Sequence, residues 1–160
     1  MILMIIVAVI FGYFLLLFLV KELRTKEKEN DLANTFEKFV LKERILIDHH
    51  EILGKTIVAL NSKNKKLVVV DETMGSQVID LKNVASTRVV DEKNEMGFTI
   101  RIALQLDMHH NGLYHINFFD SDRNAVKDIR ILLRKAGWWK KRIDRLRATE
   151  EIFNRLEYVV

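Results

Sequence analysis

The first twenty residues, MILMIIVAVIFGYFLLLFLV, are apolar at every position except Gly12. A helix of this length spans about 30 Å, the thickness of the hydrocarbon core of a bilayer. A cleaved signal peptide would need a basic N-terminal region, a shorter apolar stretch and a small-residue cleavage site, and the run has none of these. The sequence therefore predicts one transmembrane helix over residues 1–20.

Basic residues follow the apolar run directly. Four Lys and Arg side chains lie within residues 21–28, where basic residues bias a segment towards the cytoplasm. We therefore expect a single-pass protein of the inner (cytoplasmic) membrane, with its N-terminus outside and the rest of the chain in the cytosol.

The rest of the chain has the composition of an ordinary globular domain, and it carries all 26 Lys and Arg and all 22 Asp and Glu residues. The chain has no Cys, which excludes a disulfide framework, a thiolate zinc site and a Cys nucleophile. It also lacks the Gly-rich phosphate loops, the nucleophile elbow and the paired-His zinc motif. These absences argue against an enzyme, and no cofactor is expected.

Residues 21–44 contain neither Gly nor Pro and consist mostly of good helix formers. Their first turns are too polar to pack, which indicates a solvated juxtamembrane stalk. The second half carries Leu32, Phe36, Phe39 and Val40 at three- and four-residue spacing, and this stripe predicts docking on the following domain. A coiled-coil dimer is the alternative, but few heptads are visible.

The hydrophobic period changes after His50. Six runs of β-branched or aromatic residues have the length of strands, and the turn-rich connections between them are short enough to join antiparallel neighbours. The runs cover residues 56–60, 66–71, 77–81, 85–91, 98–107 and 113–119. In the fifth run, alternate apolar residues predict one face on a core and one face in solvent. These residues are Phe98, Ile100, Ile102, Leu104 and Leu106.

A helical pattern returns near the C-terminus. Asp120, Ser121 and Asp122 offer N-cap oxygens, and apolar residues then recur at helical spacing. Gly137 predicts a kink or an end of the first helical segment, and residues 148–160 are expected to add a short helical extension. The apolar residues are Ala125, Ile129, Leu132, Leu133, Ala136, Ile143 and Leu146.

Three segments, KTIVALNSKNKKLVVVD, QVIDLKNVASTRVVDE and FFDSDRNAVKDIRILLRKAGWW, together resemble the bacterial pleckstrin-homology-like (PH-like) domains. The resemblance covers residues 45–147. It implies an α+β fold in which an antiparallel β-barrel of six or seven strands is closed by a C-terminal amphipathic helix. It also implies binding of lipid head groups, peptides or proteins rather than catalysis.

Family members that bind phosphoinositides carry a basic cluster in the first hairpin loop, and here Lys63, Lys65 and Lys66 stand in that hairpin. The strand that follows lacks the Arg that such sites place next. A solvated hairpin tip, kept soluble by its lysines, is therefore the favoured interpretation.

The excess positive charge is confined to residues 121–147, which hold ten basic and three acidic side chains. A Trp pair adjoins three of these basic residues, and Trp beside Lys or Arg suits a water–lipid boundary. One hypothesis is therefore that this segment contacts anionic lipid. Its contact residues would be Trp138, Trp139, Lys140, Lys141, Arg142 and Arg145. The favoured interpretation is that Trp138 or Trp139 packs on the barrel mouth while the charges are solvated, and an acidic protein partner is a further alternative.

The five histidines do not predict a metal site. His49 and His50 are adjacent, as are His109 and His110, and neighbours on a strand point to opposite faces. A site built from His109, His115 and Asp107 would have to form across a hairpin, and turn or surface histidines are the better interpretation.

The predicted function is thus an adaptor or scaffold that binds a protein partner at the inner membrane face, through an open sheet edge or the barrel mouth. The alternative is an anionic-lipid-sensing domain that uses the basic, Trp-containing helix. A homo-oligomer is compatible with both. Nucleic acid is not an expected partner, because the net charge is only +4 and no recognised motif is present.

Overall fold

The computed structural model describes residues 30–110, 112–122 and 128–157, with side chains described as far as residue 148. The predicted transmembrane helix over residues 1–20 lies outside these ranges, as does most of the polar part of the predicted stalk. No helix within them is long and apolar enough to cross a membrane. The transmembrane helix and the single-pass topology in the predicted fold class are therefore not found among the described helices.

The first described helix, α1, covers residues 30–42. It ends in a turn where Arg44 adopts a left-handed conformation with φ of 52° and the amide of Ile45 donates to the carbonyl of Val40 over 3.1 Å. Leu32 and Phe36 are buried on one side of the helix. This packing confirms the docking that the apolar stripe predicts.

The first sheet contains four antiparallel strands in sequence order, and β1 is one that the sequence pattern missed. The strands are β1 (His49–Leu53), β2 (Thr56–Asn61), β3 (Lys66–Asp71) and β4 (Gly75–Asp80). Every residue of β2 is buried, as are all but the first of β3, so this hairpin is covered on both faces. The outer face packs on α1 through Ile57, Ala59, Val68 and Val70.

The second sheet contains three antiparallel strands, joined to the first sheet by a short 3-10 turn at Leu81–Asn83. They are β5 (Val84–Lys93), β6 (Thr99–Met108) and β7 (Gly112–Asp120). The prediction for β6 holds only in its centre. Ile102, Leu104 and Leu106 are in the core, whereas Phe98 is 66% exposed and Ile100 is 36% exposed, because the core ends at Ile102.

Polar side chains occupy the outer face of the second sheet. Gln105, although buried, accepts a hydrogen bond from Arg88 over 3.0 Å and donates one to Asp107 over 3.0 Å. Nearer the other end of β6, Arg101 donates to the side chain of Asn117 over 3.1 Å. Most of the polar groups named here therefore bind one another, without a helix over them in the described part of the chain, whereas Nδ1 of His115, which lies opposite Gln105 on β7, is buried without a hydrogen-bond partner.

The two sheets do not close into a barrel. All strand pairs of the described residues lie within the four-stranded or the three-stranded sheet. The predicted β-barrel is therefore wrong, and the fold is α+β with two separate antiparallel sheets. The main core lies between the sheets, and the second helix, α2 (Ile129–Glu157), completes it with four buried side chains. These are Leu132, Ala136, Trp139 and Ile143.

The limits of α2 differ from the prediction. Asp128 precedes the helix and its carboxylate accepts from the amide of Arg130 over 3.0 Å, whereas Asp120 accepts from Asp122 in a separate turn. The helix continues through Gly137 and on to Glu157, so it does not end near Gly137, and residues 148–157 of the predicted helical extension belong to this same helix. One long helix therefore spans the opening between the sheets.

Candidate binding surfaces around the C-terminal helix

The inner face of α2 is held by Trp139, which is fully buried in the main core. Its indole Nε1 donates to Glu51 Oε2 over 2.8 Å, and Lys135 Nζ lies 2.5 Å from the other oxygen of the same carboxylate. A single side chain of β1 thus binds two residues of α2, one turn apart on the helix. A buried indole N–H needs such an acceptor.

The same face of α2 is also attached to β5. Asp144 accepts a hydrogen bond from the hydroxyl of Thr87 and receives Lys140 at 2.6 Å. The guanidinium of Arg147 donates to the carbonyl of Val84 over 2.6 Å and to that of Ala85. These contacts fix the rotation of α2 about its own axis, and so they fix which residues point outward.

Trp138 lies next to Trp139 but outside the core, with 42% of its surface exposed. Its ring meets that of Trp139 edge-on at 5.4 Å between centroids, and the ring of His49 at 4.8 Å. The guanidinium of Arg142 lies 5.1 Å from the Trp138 ring centroid, within cation–π range. Trp138 is therefore a rigidly supported aromatic surface.

A cleft runs between β1 and α2 and contains two hollows. The first, about 180 Å³, has buried Leu53 and Phe118 among its lining residues, with Ile52 and Ile131 about two-fifths exposed. The second, about 310 Å³, is lined by His49, His50, Glu51, Lys135 and Trp138. Lys135 lines both hollows, and its ion pair with Glu51 separates them.

The outer face of α2 carries a straight row of exposed side chains, which we term the outer stripe. Its members follow one another at intervals of three or four residues, so they share one side of the helix. The outer stripe consists of Arg130, Arg134, Trp138, Lys141 and Arg145.

The structure divides the six predicted lipid-contact residues. Trp139 is buried and Lys140 is paired with Asp144, so neither belongs to an open surface. Trp138, Lys141 and Arg145 lie on the outer stripe, and Arg142 flanks it. The prediction missed Arg130 and Arg134, although their four-residue spacing to Trp138 was a visible signal.

The three lysines of the β2–β3 hairpin are not presented together. Lys63 is exposed, whereas Lys65 and Lys66 are half-buried, and Lys65 adopts a φ of 53°. The carboxylate of Asp48 accepts from the amide of Ser62 in this hairpin over 3.0 Å. An acidic group at this position works against an anion site.

The pKa of Asp48, at the base of the hairpin, is affected by a residue of α2. Burial tends to raise this pKa, but the hydrogen bonds from Ser62 and the positive charge of Arg142 hold it below its usual value. Arg142 is therefore close enough to act on a carboxylate at the hairpin base.

The histidines behave as surface and packing residues in the described chain. His109 and His110 are exposed in the β6–β7 turn, and no group of three His, Asp or Glu residues within the described ranges could hold a metal ion. Asp107, a proposed ligand, instead accepts hydrogen bonds from Ser86 and Gln105, and these lower its pKa.

No protein-family model, curated protein or solved structure matches the chain. The resemblance to PH-like domains therefore stays a prediction. The cleft and the outer stripe are the features from which a function can be inferred.

Proposed function

We propose that the chain is a non-catalytic binding module that holds an extended segment of a protein partner in the cleft between β1 and α2, and so acts as an adaptor or scaffold. The observation that carries this proposal is the lining of the cleft. Ile52, Ile131 and Trp138 each leave about two-fifths of their surface exposed there. Apolar side chains grouped in a concave surface favour a partner that covers them.

The size of the first hollow favours a side chain over a small molecule. Pockets for cofactors and drug-sized ligands usually enclose about 300–1,000 Å³ in one space. The first hollow, at about 180 Å³, is well below that range. A dry cavity of about 150 Å³ accepts a benzene ring, so this hollow suits one Leu or Phe side chain.

The spacing of the hollows favours an extended segment. Leu53 lines the first and Glu51 lines the second, and these residues lie two apart on β1. Two residues of a strand cover about 6.7 Å, so alternate side chains of an extended peptide match both hollows. Within the described residues β1 pairs only with β2, which leaves backbone groups on its other edge for such a segment.

Peptide selection on the full 160-residue chain tests this proposal. Random peptides displayed on phage would be selected for binding, and the enriched sequences synthesised and titrated by fluorescence anisotropy. We expect them to share two bulky apolar residues at alternate positions. Replacing Ile131 by Asp should weaken their binding at least tenfold, because a charge in the hollow loses its solvation when the peptide covers it.

The control variant is Leu113→Asp, which introduces the same charge at an exposed apolar residue of β7 that does not line the cleft. This variant should bind the peptides as the unmodified chain does. Failure to enrich any sequence, or equal losses in the two variants, would contradict a peptide-binding cleft.

A further inference from the structure

The outer stripe is a second surface, separate from the two hollows except for Trp138. Residues 128–148 hold eight basic and two acidic side chains, so α2 carries more positive charge than the whole chain has in excess. Three of the eight cations face inward and have partners there, namely Lys135, Lys140 and Arg147. The remaining charge is therefore concentrated on the outer side.

The geometry of the stripe is a narrow straight line. With about 100° of rotation per residue, the positions of Arg130, Arg134, Lys141 and Arg145 fall within about 60° of the helix circumference, and that of Trp138 extends the sector to about 80°. Asp144 binds Thr87 and Lys140 on the inner side of the helix, whereas Asp128, just before the helix, lies 3.9 Å from the guanidinium of Arg130 at one end of the stripe. From first to last cation, the stripe is about 22 Å long.

The arrangement of the cations determines which shape of anionic ligand can contact all of them. Cations that follow at intervals of about 6 to 10 Å along a straight helix cannot converge on one phosphate, but all of them can touch one plane. The charged plane that proteins meet is a bilayer surface with anionic lipids, which attracts each nearby Lys or Arg. Trp138, in the middle of the line and half-exposed, is the residue type that is enriched at the level of the lipid head groups.

We propose that α2 lies along an anionic phospholipid surface through the outer stripe, with its cations at the head groups and Trp138 at their level. This goes beyond the partner-binding function, because no member of the outer stripe lines the first hollow and only Trp138 lines the second. The inner contacts of α2 with Glu51, Thr87 and Val84 hold the stripe in one orientation relative to both sheets.

The test compares vesicles of phosphatidylcholine alone with vesicles that also contain about 30% phosphatidylglycerol. Cosedimentation of the full chain gives a partition coefficient for each. Every sample contains the apolar residues 1–20, so the neutral vesicles measure their contribution, and the ratio of the two coefficients isolates the charges. We expect a ratio well above one that falls as salt is added.

Two variants with the same net charge separate the stripe from a general charge effect. The first changes Arg130, Arg134, Lys141 and Arg145 to Glu, and it should reduce the ratio by roughly several hundredfold, since each of the four cations contributes about fivefold. The second changes four exposed lysines elsewhere to Glu and should retain most of the ratio. These lysines are Lys38, Lys42, Lys63 and Lys93.

Tryptophan emission provides a readout that charge alone would not move. Anionic vesicles should shift the emission of the full chain to shorter wavelength, and Trp138→Phe should abolish the shift, because the remaining Trp139 is buried. A ratio near one for the unmodified chain, equal losses in the two quadruple variants, or duplex DNA bound through the stripe while vesicles are not, would overturn the proposal.

Discussion

The outer faces of the two sheets are built in opposite ways. That of the first sheet is aliphatic and is covered by Leu32 and Phe36 of α1. That of the second sheet consists of polar side chains that hydrogen-bond to one another, with Gln105 at their centre. The difference teaches that the second sheet can face water as it stands, whereas the first sheet depends on α1 to be stable in water.

The largest loss of stability is expected when the packing of α1 on the first sheet is disrupted. Phe36→Ala should lower the free energy of unfolding by about 3 kcal/mol, because it removes a buried aromatic side chain and leaves a cavity. Amide hydrogen exchange should then accelerate in α1, β2 and β3 before it does in β5–β7, since the covering helix opens locally.

The matched control is Leu41→Ala on the same helix, where the side chain is 77% exposed. This variant should change the unfolding free energy by less than about 0.5 kcal/mol. Uniform acceleration of exchange in both sheets of Phe36→Ala would contradict a separate role for α1.

A smaller effect is expected at the one buried carboxylate of the first sheet. Asp71, the last residue of β3, accepts hydrogen bonds from the hydroxyl of Thr56 over 2.6 Å and from that of Thr73 over 2.7 Å. Burial tends to raise its pKa, but these bonds, with others from the backbone of Thr73 and Met74, outweigh burial and hold the pKa well below the usual range.

Asp71→Asn should therefore destabilise the chain by about 2 kcal/mol at neutral pH, as expected for hydrogen bonds to a charged group. The folded-state pKa lies below the unfolded value of about 3.9, so this stabilisation is complete above about pH 4 and is lost as the pH falls through the folded-state pKa. Urea unfolding at several pH values should show the gap between the two proteins narrowing in acid. The neighbouring exposed Glu72→Gln is the control, and a pH-independent gap for Asp71→Asn would refute this account.

The smallest effects are expected on the polar face. Gln105→Ala removes the central amide and should cost about 1 kcal/mol, the usual net value of a hydrogen-bonded group that leaves partners able to turn to water. Arg101→Ala, at the more exposed end of the same face, should cost less than about 0.5 kcal/mol. Chemical denaturation measures both, and a loss from Gln105→Ala as large as that from Phe36→Ala would remove the contrast between the two faces.

Strands could be predicted from the sequence where the pattern is local. The prediction failed where burial is set by an element that is distant in the sequence. The runs that became β2 to β7 alternate or are continuously apolar, and these are local signals. β1 reads HHEIL, with polar residues at the positions that face α2. Glu51 belongs in a strand because Trp139 and Lys135, more than eighty residues later, bind its carboxylate.

The alternation pattern also could not predict where the core ends. Phe98 and Ile100 continue the apolar series of β6, but alternation indicates only which side of a strand a residue occupies. Whether another element lies over that side depends on the length of the opposing sheet. No element within the described residues covers Phe98, which is 66% exposed.

The sequence spacing around the two tryptophans indicates that they lie on different sides of the helix, and the prediction did not use this spacing. Ala136, Trp139 and Ile143 follow at intervals of three and four residues, which places Trp139 on the inner side of the helix. Trp138 is then turned by about 100° towards the outer stripe. Adjacent residues on a helix do not share a face, and so the paired Trp residues could not share one role.

The order of the elements along the chain has a consequence for biosynthesis. The aliphatic hairpin formed by β2 and β3 combines high β-propensity with uncharged centres, a combination that promotes aggregation whenever such strands are exposed. Because α1 precedes the hairpin, it leaves the ribosome first and is available when the strands emerge. During synthesis, the covering helix is therefore present before the aggregation-prone strands emerge. A nascent chain shortened to begin after Arg44 would be expected to need a chaperone instead.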